Sequence, residues 1–228
     1  MRVRSSVPRT KATILAGRPV LAVNPGGVSL PAVEALAACG ADCLFIDCER
    51  TAVSIESVPM LARAAQACGM SAVVRSPSKD PAILTRYFDC GIDGLVLPQV
   101  ESAETCAMLH ATARAATRGR EADLLLIAQI ESAEGHARLD AIAAAPGIDV
   151  ILVGPNDLAH SMGFLGDTSR PELTAAVDDI AAAGRAFGLP VSEQTTAHWV
   201  GRGATFLYAT LASLLRPGVA AIRQAALG

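Results

Sequence analysis

Short apolar, β-branched runs alternate with Ala-rich segments of helical period almost from end to end of the chain. The runs predict strands at Val20–Val23, Cys43–Asp47, Ala72–Arg75, Gly94–Leu97, Leu124–Ile130, Asp149–Val153, Pro190–Ser192 and Phe206–Thr210. Between them, helices are predicted at Leu30–Cys39, Glu56–Cys68, Pro81–Cys90, Ala103–Arg118, Glu134–Ala145, Pro171–Phe187, Thr196–Arg202 and Ala212–Ala226. Strand–helix alternation calls for parallel strands with right-handed crossovers. Eight such units in 228 residues fit a (β/α)8 TIM barrel. One barrel domain spanning residues 1–228 is expected, with residues 1–12 as a flexible N-terminal arm.

Glycines punctuate the pattern. AACGADC, QACGMSA, FDCGIDG, APGIDV and AFGLPV each set a Gly after a helix and before the next strand, where the left-handed conformation stops a helix. A doubly wound sheet would advertise a glycine-rich phosphate turn after its first strand. The turn there is AVNPGGVSL, which has no GxGxxG, so a dinucleotide site is not expected.

Composition narrows the function classes. The chain is 51% hydrophobic and 18% charged, with a net charge of -3. That suits a close-packed globular protein and argues against a nucleic-acid or membrane surface, leaving a small acidic metabolite as the expected partner. The six cysteines have no CxxC or Cys/His ligand spacing and read as reduced packing residues of a cytoplasmic protein. The basic N-terminus has too short an apolar run for a signal peptide, and no run approaches the roughly 20 residues of a spanning helix.

Barrel enzymes build their sites where strands end. The predicted ends carry Asn24, then Asp47 with Glu49 and Arg50, then Arg75, Gln99, Glu131, Asn156 with Asp157, and Glu193. Glu131 in QIES and Asp157 in GPNDLA leave adjacent strands, so their carboxylates can reach one hard cation. The alternative is that Asn156 or Asp157 simply caps a helix. Backbone N–H groups of GPNDL could receive a substrate carboxylate. Arg75 could hold a keto or enolate oxygen, or serve a structural ion pair. Only Lys11 and Lys79 exist, and neither lies on a strand, so imine catalysis is not expected. His110, His136, His160 and His198 are scattered over helices and loops and read as packing or surface residues. Trp199 reads as a pocket wall or a residue between subunits.

FIDCE, VVRSPSKDPAILTRYFDCGIDGLVLPQVESAE, QIESAEGHARLDAIAAAPGIDVILVGPNDLAHSMG and ATLASLLRPG, in that order, resemble the HpcH/HpaI aldolases. These are metal-dependent pyruvate aldolases of the phosphoenolpyruvate/pyruvate-binding barrel superfamily. The resemblance runs from about residue 12 to the C-terminus. It implies that Glu131 and Asp157 ligate a divalent ion (Mg2+, Mn2+ or Co2+) and that Arg75 contacts the 2-oxo oxygen and enolate. It further implies that the amides of Asn156 and Asp157 hold the oxo acid's carboxylate, that Gln129 supports the shell, and that the chain forms a homo-oligomer, a hexamer or trimer of dimers.

Two departures from the family pattern stand out. Asp-x-Glu-His is replaced by Asp47-Cys48-Glu49-Arg50, so the histidine expected to pair with an aspartate at Asp89 is missing. Arginine stays protonated and cannot take that histidine's role as a base. Arg50 is expected either to pair with Asp89 or to bind a second substrate carboxylate. The glycine- and arginine-rich loop that covers the family's site is also absent before LLLIAQIES. The leading expectation is a metal-dependent carbon–carbon lyase acting through a pyruvate-like enolate. Its rivals are a citrate-synthase-like enzyme of siderophore pathways using oxaloacetate and acetyl-CoA, and a non-catalytic oxo-acid-binding barrel.

Overall fold

The computed structural model describes residues 8–227. Eight parallel strands close on themselves in sequence order, β8 pairing with β1. They are β1 (Val20–Asn24), β2 (Cys43–Asp47), β3 (Ser71–Arg75), β4 (Gly94–Leu97), β5 (Leu125–Ile130), β6 (Val150–Val153), β7 (Ala186–Pro190) and β8 (Ala204–Thr210). The helices are α1 (Arg9–Leu15), α2 (Leu30–Ala38), α3 (Val58–Ala67), α4 (Pro81–Asp89), α5 (Ala103–Ala116), α6 (Ala133–Ala137), α7 (Leu139–Ala144), α8 (Pro155–Ser161), α9 (Pro171–Ala182), α10 (Glu193–Gly201) and α11 (Leu211–Leu227). The (β/α)8 TIM barrel is therefore the architecture of this chain.

Strand side chains alternate between two faces, and the chain builds two apolar clusters accordingly. Val23, Leu44, Ile46, Val74, Leu95, Leu126 and Ile151 face outward and pack with the buried sides of the helices. Ala22, Cys43, Phe45, Val73, Val96, Leu125, Ile127, Val150, Leu152 and Phe206 fill the barrel interior, joined from below by Ile14 of α1.

Several elements depart from the sequence reading. Residues 9–12, assigned to an arm, lie in α1, where Lys11 is buried, donates to Leu124 O at 2.7 Å and pairs with Asp149 at 2.9 Å. The rest of that arm, residues 1–7, falls outside the described residues. The seventh strand is Ala186–Pro190, earlier than Pro190–Ser192, and the preceding helix stops at Ala182. The glycine of AFGLPV misled that assignment. Gly184 takes the positive φ of +74°, whereas Gly188 lies within β7, where an added Cβ would strike the Phe206 backbone of β8. The single helix expected over Glu134–Ala145 is broken into α6 and α7 at Arg138. Among the cysteines, Cys43, Cys48 and Cys106 are buried, but Cys39 and Cys68 are exposed at helix C-termini. No helix among the described residues is long and apolar enough to cross a membrane.

Candidate active site

The interior face of the barrel runs upward from apolar to polar. Two residues beyond Phe45 comes Asp47, two beyond Val73 comes Arg75, two beyond Ile127 comes Gln129, and two beyond Phe206 comes Tyr208. Strand periodicity therefore delivers these four side chains to the C-terminal mouth. There Arg75, Gln129 and Tyr208 border a cavity of about 540 Å3, lined also by Arg50, Glu131, Gly154, Asn156, Asp157, Val191 and Thr210, while Asp47 is paired with Arg75 at its edge.

Asp47 organises one side. It is opposite Arg75 in the β2–β3 register, and its Oδ1 and Oδ2 accept Arg75 Nε and Nη2 at 3.0 and 2.6 Å. Oδ1 also accepts the backbone N–H groups of Glu49 and Arg50, each at 3.1 Å, and Oδ2 accepts Asn24 Nδ2 at 3.3 Å. This buried carboxylate is thus fully satisfied, and it fixes Arg75 through a planar two-point contact. Asn24 Nδ2 also donates to the Tyr208 hydroxyl at 3.1 Å, and the Tyr208 ring meets Phe45 edge-on with centroids 4.7 Å apart. Glu49 Oε2 lies 3.1 Å from Arg75 Nε but has no hydrogen bond, because that N–H is committed to Asp47. Burial works against the Arg75 charge, yet the hydrogen bond and charge of Asp47, with Glu49, raise its pKa overall.

Glu131 organises the other side. Its Oε2 accepts Gln129 Nε2 at 2.7 Å and its Oε1 accepts the Gln99 N–H at 2.9 Å, Gln99 holding a positive φ of 52° to aim that group. Gly154 leaves the necessary space. A Cβ there would stand 2.6 Å from Glu131 Oε2 and 2.9 Å from Gln129 Nε2. Burial, then the neighbouring Glu49 carboxylate, push the pKa of Glu131 up to about 7, with Asp157 adding to the effect and the Gln99 N–H and Arg75 opposing it. Burial likewise raises Glu49, against the charges of Arg75 and Arg50.

Asp157 sits in the first turn of α8, ahead of that helix's first internal hydrogen bond, Leu158 N–H to Gly154 O at 2.9 Å. Its Oδ2 accepts Arg50 Nη2 at 2.7 Å. The expected Arg50–Asp89 pair does not form. Asp89 is exposed at the end of α4 and does not line the cavity, whereas barrel closure brings the β2 exit to the β6–α8 turn. The structure thus gathers Arg50, Arg75, Gln129, Glu131, Asn156 and Asp157 at one mouth and leaves Asp89 outside it. Trp199 does not line the cavity; it is partly buried against the outer core. Tyr208, Phe45 and Gly154 were missed from the sequence. The alternation Phe206–Tyr208 was the signal for the first, and the small residue before PND for the last.

The donors suit a hard cation. Four carboxylates (Asp47, Glu49, Glu131 and Asp157) face two guanidinium groups, and burial first, then the Glu49 carboxylate, raises the pKa of Glu131. Gln129 Oε1 is buried with no hydrogen-bond partner among the described residues, a spare acceptor beside Glu131. Among the described residues no three or more His, Cys, Asp or Glu are placed to hold a metal ion together, so a cation held by Glu131 and Asp157 would need oxygens from water or substrate, as hard divalent ions commonly do.

Comparison with known proteins matches residues 27–207 to the HpcH/HpaI aldolase/citrate lyase family. A hydroxypyruvate/pyruvate aldolase of Chromohalobacter salexigens is 32% identical over 185 residues, covering 69% of this chain and 73% of that protein. The crystal structure of an HpcH/HpaI aldolase/citrate lyase family protein from Burkholderia cenocepacia superposes with a TM-score of 0.86 at 28% identity, over 96% of this chain and 99% of that one. The citrate synthase SbnG superposes with a TM-score of 0.83 over 96% and 98% of the two chains, but at 24% identity that likeness speaks to the fold alone.

Proposed function

The chain belongs to the HpcH/HpaI aldolase/citrate lyase family, and from that premise we propose that it is a divalent-metal-dependent carbon–carbon lyase of the aldolase type, acting on a 2-oxo acid through a pyruvate-like enolate. The observation that carries the reading is Arg75, locked by Asp47 at the wall of a cavity whose other side presents Glu131 and Asp157. Mg2+, Mn2+ or Co2+ held by Glu131 and Asp157 would act as a Lewis acid on the oxo group. Arg75 offers fixed N–H donors where negative charge grows as the C3–C4 bond of a 4-hydroxy-2-oxo acid breaks. Donors already in place need no reorganisation at that moment, the usual source of such stabilisation. The free N–H groups of Asn156 and Asp157 receive the oxo acid's carboxylate, while Gln129 keeps Glu131 oriented. Arg50, whose guanidinium offers donors and no acceptor, orients rather than accepts a proton.

The test is pyruvate release from 4-hydroxy-2-oxo acids with Mg2+, Mn2+ or Co2+ against an EDTA control, alongside oxaloacetate decarboxylation. Absence of metal-dependent turnover in both assays refutes the reading. A condensing reaction of oxaloacetate with acetyl-CoA is the second reading, favoured by a cationic Arg50 where a proton shuttle would stand; citrate formation distinguishes it. Homo-oligomerisation belongs to the same proposal, since α11 leaves Leu214, Leu215, Val219 and Ile222 exposed.

A further inference from the structure

Four neighbouring strands each send one polar side chain to the same part of the barrel mouth: Tyr208 from β8, Asn24 from β1, Asp47 from β2 and Arg75 from β3. Hydrogen bonds join them in that order. Asn24 Nδ2 donates to the Tyr208 hydroxyl at 3.1 Å and to Asp47 Oδ2 at 3.3 Å, and Asp47 in turn takes Nε and Nη2 of Arg75. The direction of the first contact is fixed by a backbone group. Asn24 Oδ1 accepts the Gly26 N–H at 2.8 Å, so the end of the amide that meets Tyr208 is its NH2.

The phenol oxygen is therefore an acceptor in this network, and its own proton is left over. The Tyr208 ring stands edge-on to Phe45, and among the described residues nothing accepts a hydrogen bond from its hydroxyl. Burial, against the Asn24 contact, raises the phenol pKa above its ordinary value of 10, so the hydroxyl enters the chemistry as a donor. Arg75 is placed alike: Asp47 occupies Nε and Nη2, and Nη1 has no partner among the described residues. Both side chains line the cavity. One wall thus presents a neutral O–H and a guanidinium edge, held by the same Asn24–Asp47 link. Fixed donors act most strongly where negative charge develops, because a hydrogen bond to an ionic oxygen is stronger than one to a neutral oxygen.

Resting on the oxo-acid reading above, we propose that Tyr208 is a further catalytic residue, whose hydroxyl donates a hydrogen bond to the 2-oxo oxygen served by Arg75 and strengthens that bond as the oxygen takes on enolate charge. Asn24 is its positioning residue, since by occupying the phenol oxygen from the barrel wall it leaves the proton to the cavity. The phenol keeps its proton throughout and transfers nothing.

The test is binding, so it does not depend on turnover. Calorimetry in the presence of Mn2+ compares pyruvate, whose oxo oxygen is neutral, with oxalate, a planar dianion that carries the charge of the enolate. Tyr208→Phe removes only the hydroxyl and is expected to weaken oxalate about tenfold or more and pyruvate about threefold or less. A merely structural role would weaken both ligands by one factor. Equal factors for the two, or no change in either, overturn the proposal while leaving oxo-acid binding intact. A second measurement keeps the phenol in place and does not require that Tyr208→Phe fold. Tyr87 is the chain's other tyrosine and does not line the cavity, so in Tyr87→Phe the remaining phenol absorption belongs to Tyr208. Saturation with Mn2+ and oxalate should shift that absorption to longer wavelength, as donation to an anionic oxygen does, and an unchanged band overturns the proposal. Failure of both ligands to bind the unaltered protein overturns this proposal together with the reading beneath it.

Discussion

Replacing Glu131 by Gln in metal-free protein should stabilise the fold at alkaline pH and leave it unchanged in acid. The carboxyl titrates near 7 in the folded chain against an ordinary value of 4.5, chiefly because it is buried. A carboxyl raised in this way binds its proton more tightly folded than unfolded, so stability is full below about pH 4.5 and is lost as pH rises through 7. At about 1.4 kcal/mol for each pH unit of displacement, the loss amounts to about 3 kcal/mol. In a protein of this size that corresponds to roughly 6–12 °C in Tm. The amide introduced by Glu131→Gln can keep the local hydrogen bonds. Its oxygen accepts the Gln99 N–H, and its nitrogen donates to Gln129 Oε1 once the Gln129 amide turns over, giving a partner to an acceptor that now has none. The assay is thermal unfolding in EDTA from pH 4 to 9, read as variant minus unaltered protein so that other carboxyls cancel. The difference should be near zero at pH 4 and largest above pH 7.5. Saturating Mn2+ should reverse its sign, because only the unaltered protein gains stability from the ion. A difference that does not change with pH, or a variant less stable in EDTA at pH 8, refutes the reasoning.

The other expectations follow from single contacts. Asp47→Asn strips the carboxylate from Arg75 and leaves a mostly buried guanidinium with only Glu49; chemical denaturation should show a loss of roughly 3–5 kcal/mol, with oxo-acid binding lost as well. Gly154→Ala presses a methyl group on Glu131 and Gln129, so Mn2+ affinity by calorimetry should fall at least tenfold, at a stability cost of roughly 1–3 kcal/mol. Arg50→Met frees Asp157, and Mn2+ alone should bind that variant more tightly than the unaltered protein. Lys11→Met removes the cation that joins α1 to Asp149 and Leu124 O; a loss of roughly 3 kcal/mol in denaturation would confirm that residues 9–15 belong to the barrel.

The sequence was most legible where short-range rules act. Short apolar runs within Cys43–Asp47 and Ser71–Arg75 identify both strands, and the two-residue period of a strand puts Asp47 and Arg75 on the face that carries Phe45 and Val73. It was less legible in AFGLPV, where two glycines four residues apart serve different ends: Gly184 for its backbone angle and Gly188 for contact with a strand that comes later in the chain. The N-terminal residues failed for a similar reason. Nothing local marks Arg9–Leu15 as structured, because the partners of Lys11 lie more than a hundred residues away.

By itself, then, the amino-acid order determined the strand–helix alternation, the polar residues that finish each strand, and the absence of a strand-borne lysine. Only the closed barrel decided which charges meet. Asp47 takes Arg75 because β2 and β3 are neighbours in register, and Arg50 takes Asp157, 107 residues away, because closure carries the β2 exit toward the β6–α8 turn. Side-chain periodicity is set within a few residues of backbone, whereas the pairing of ions depends on distances that exist only after the sheet has closed.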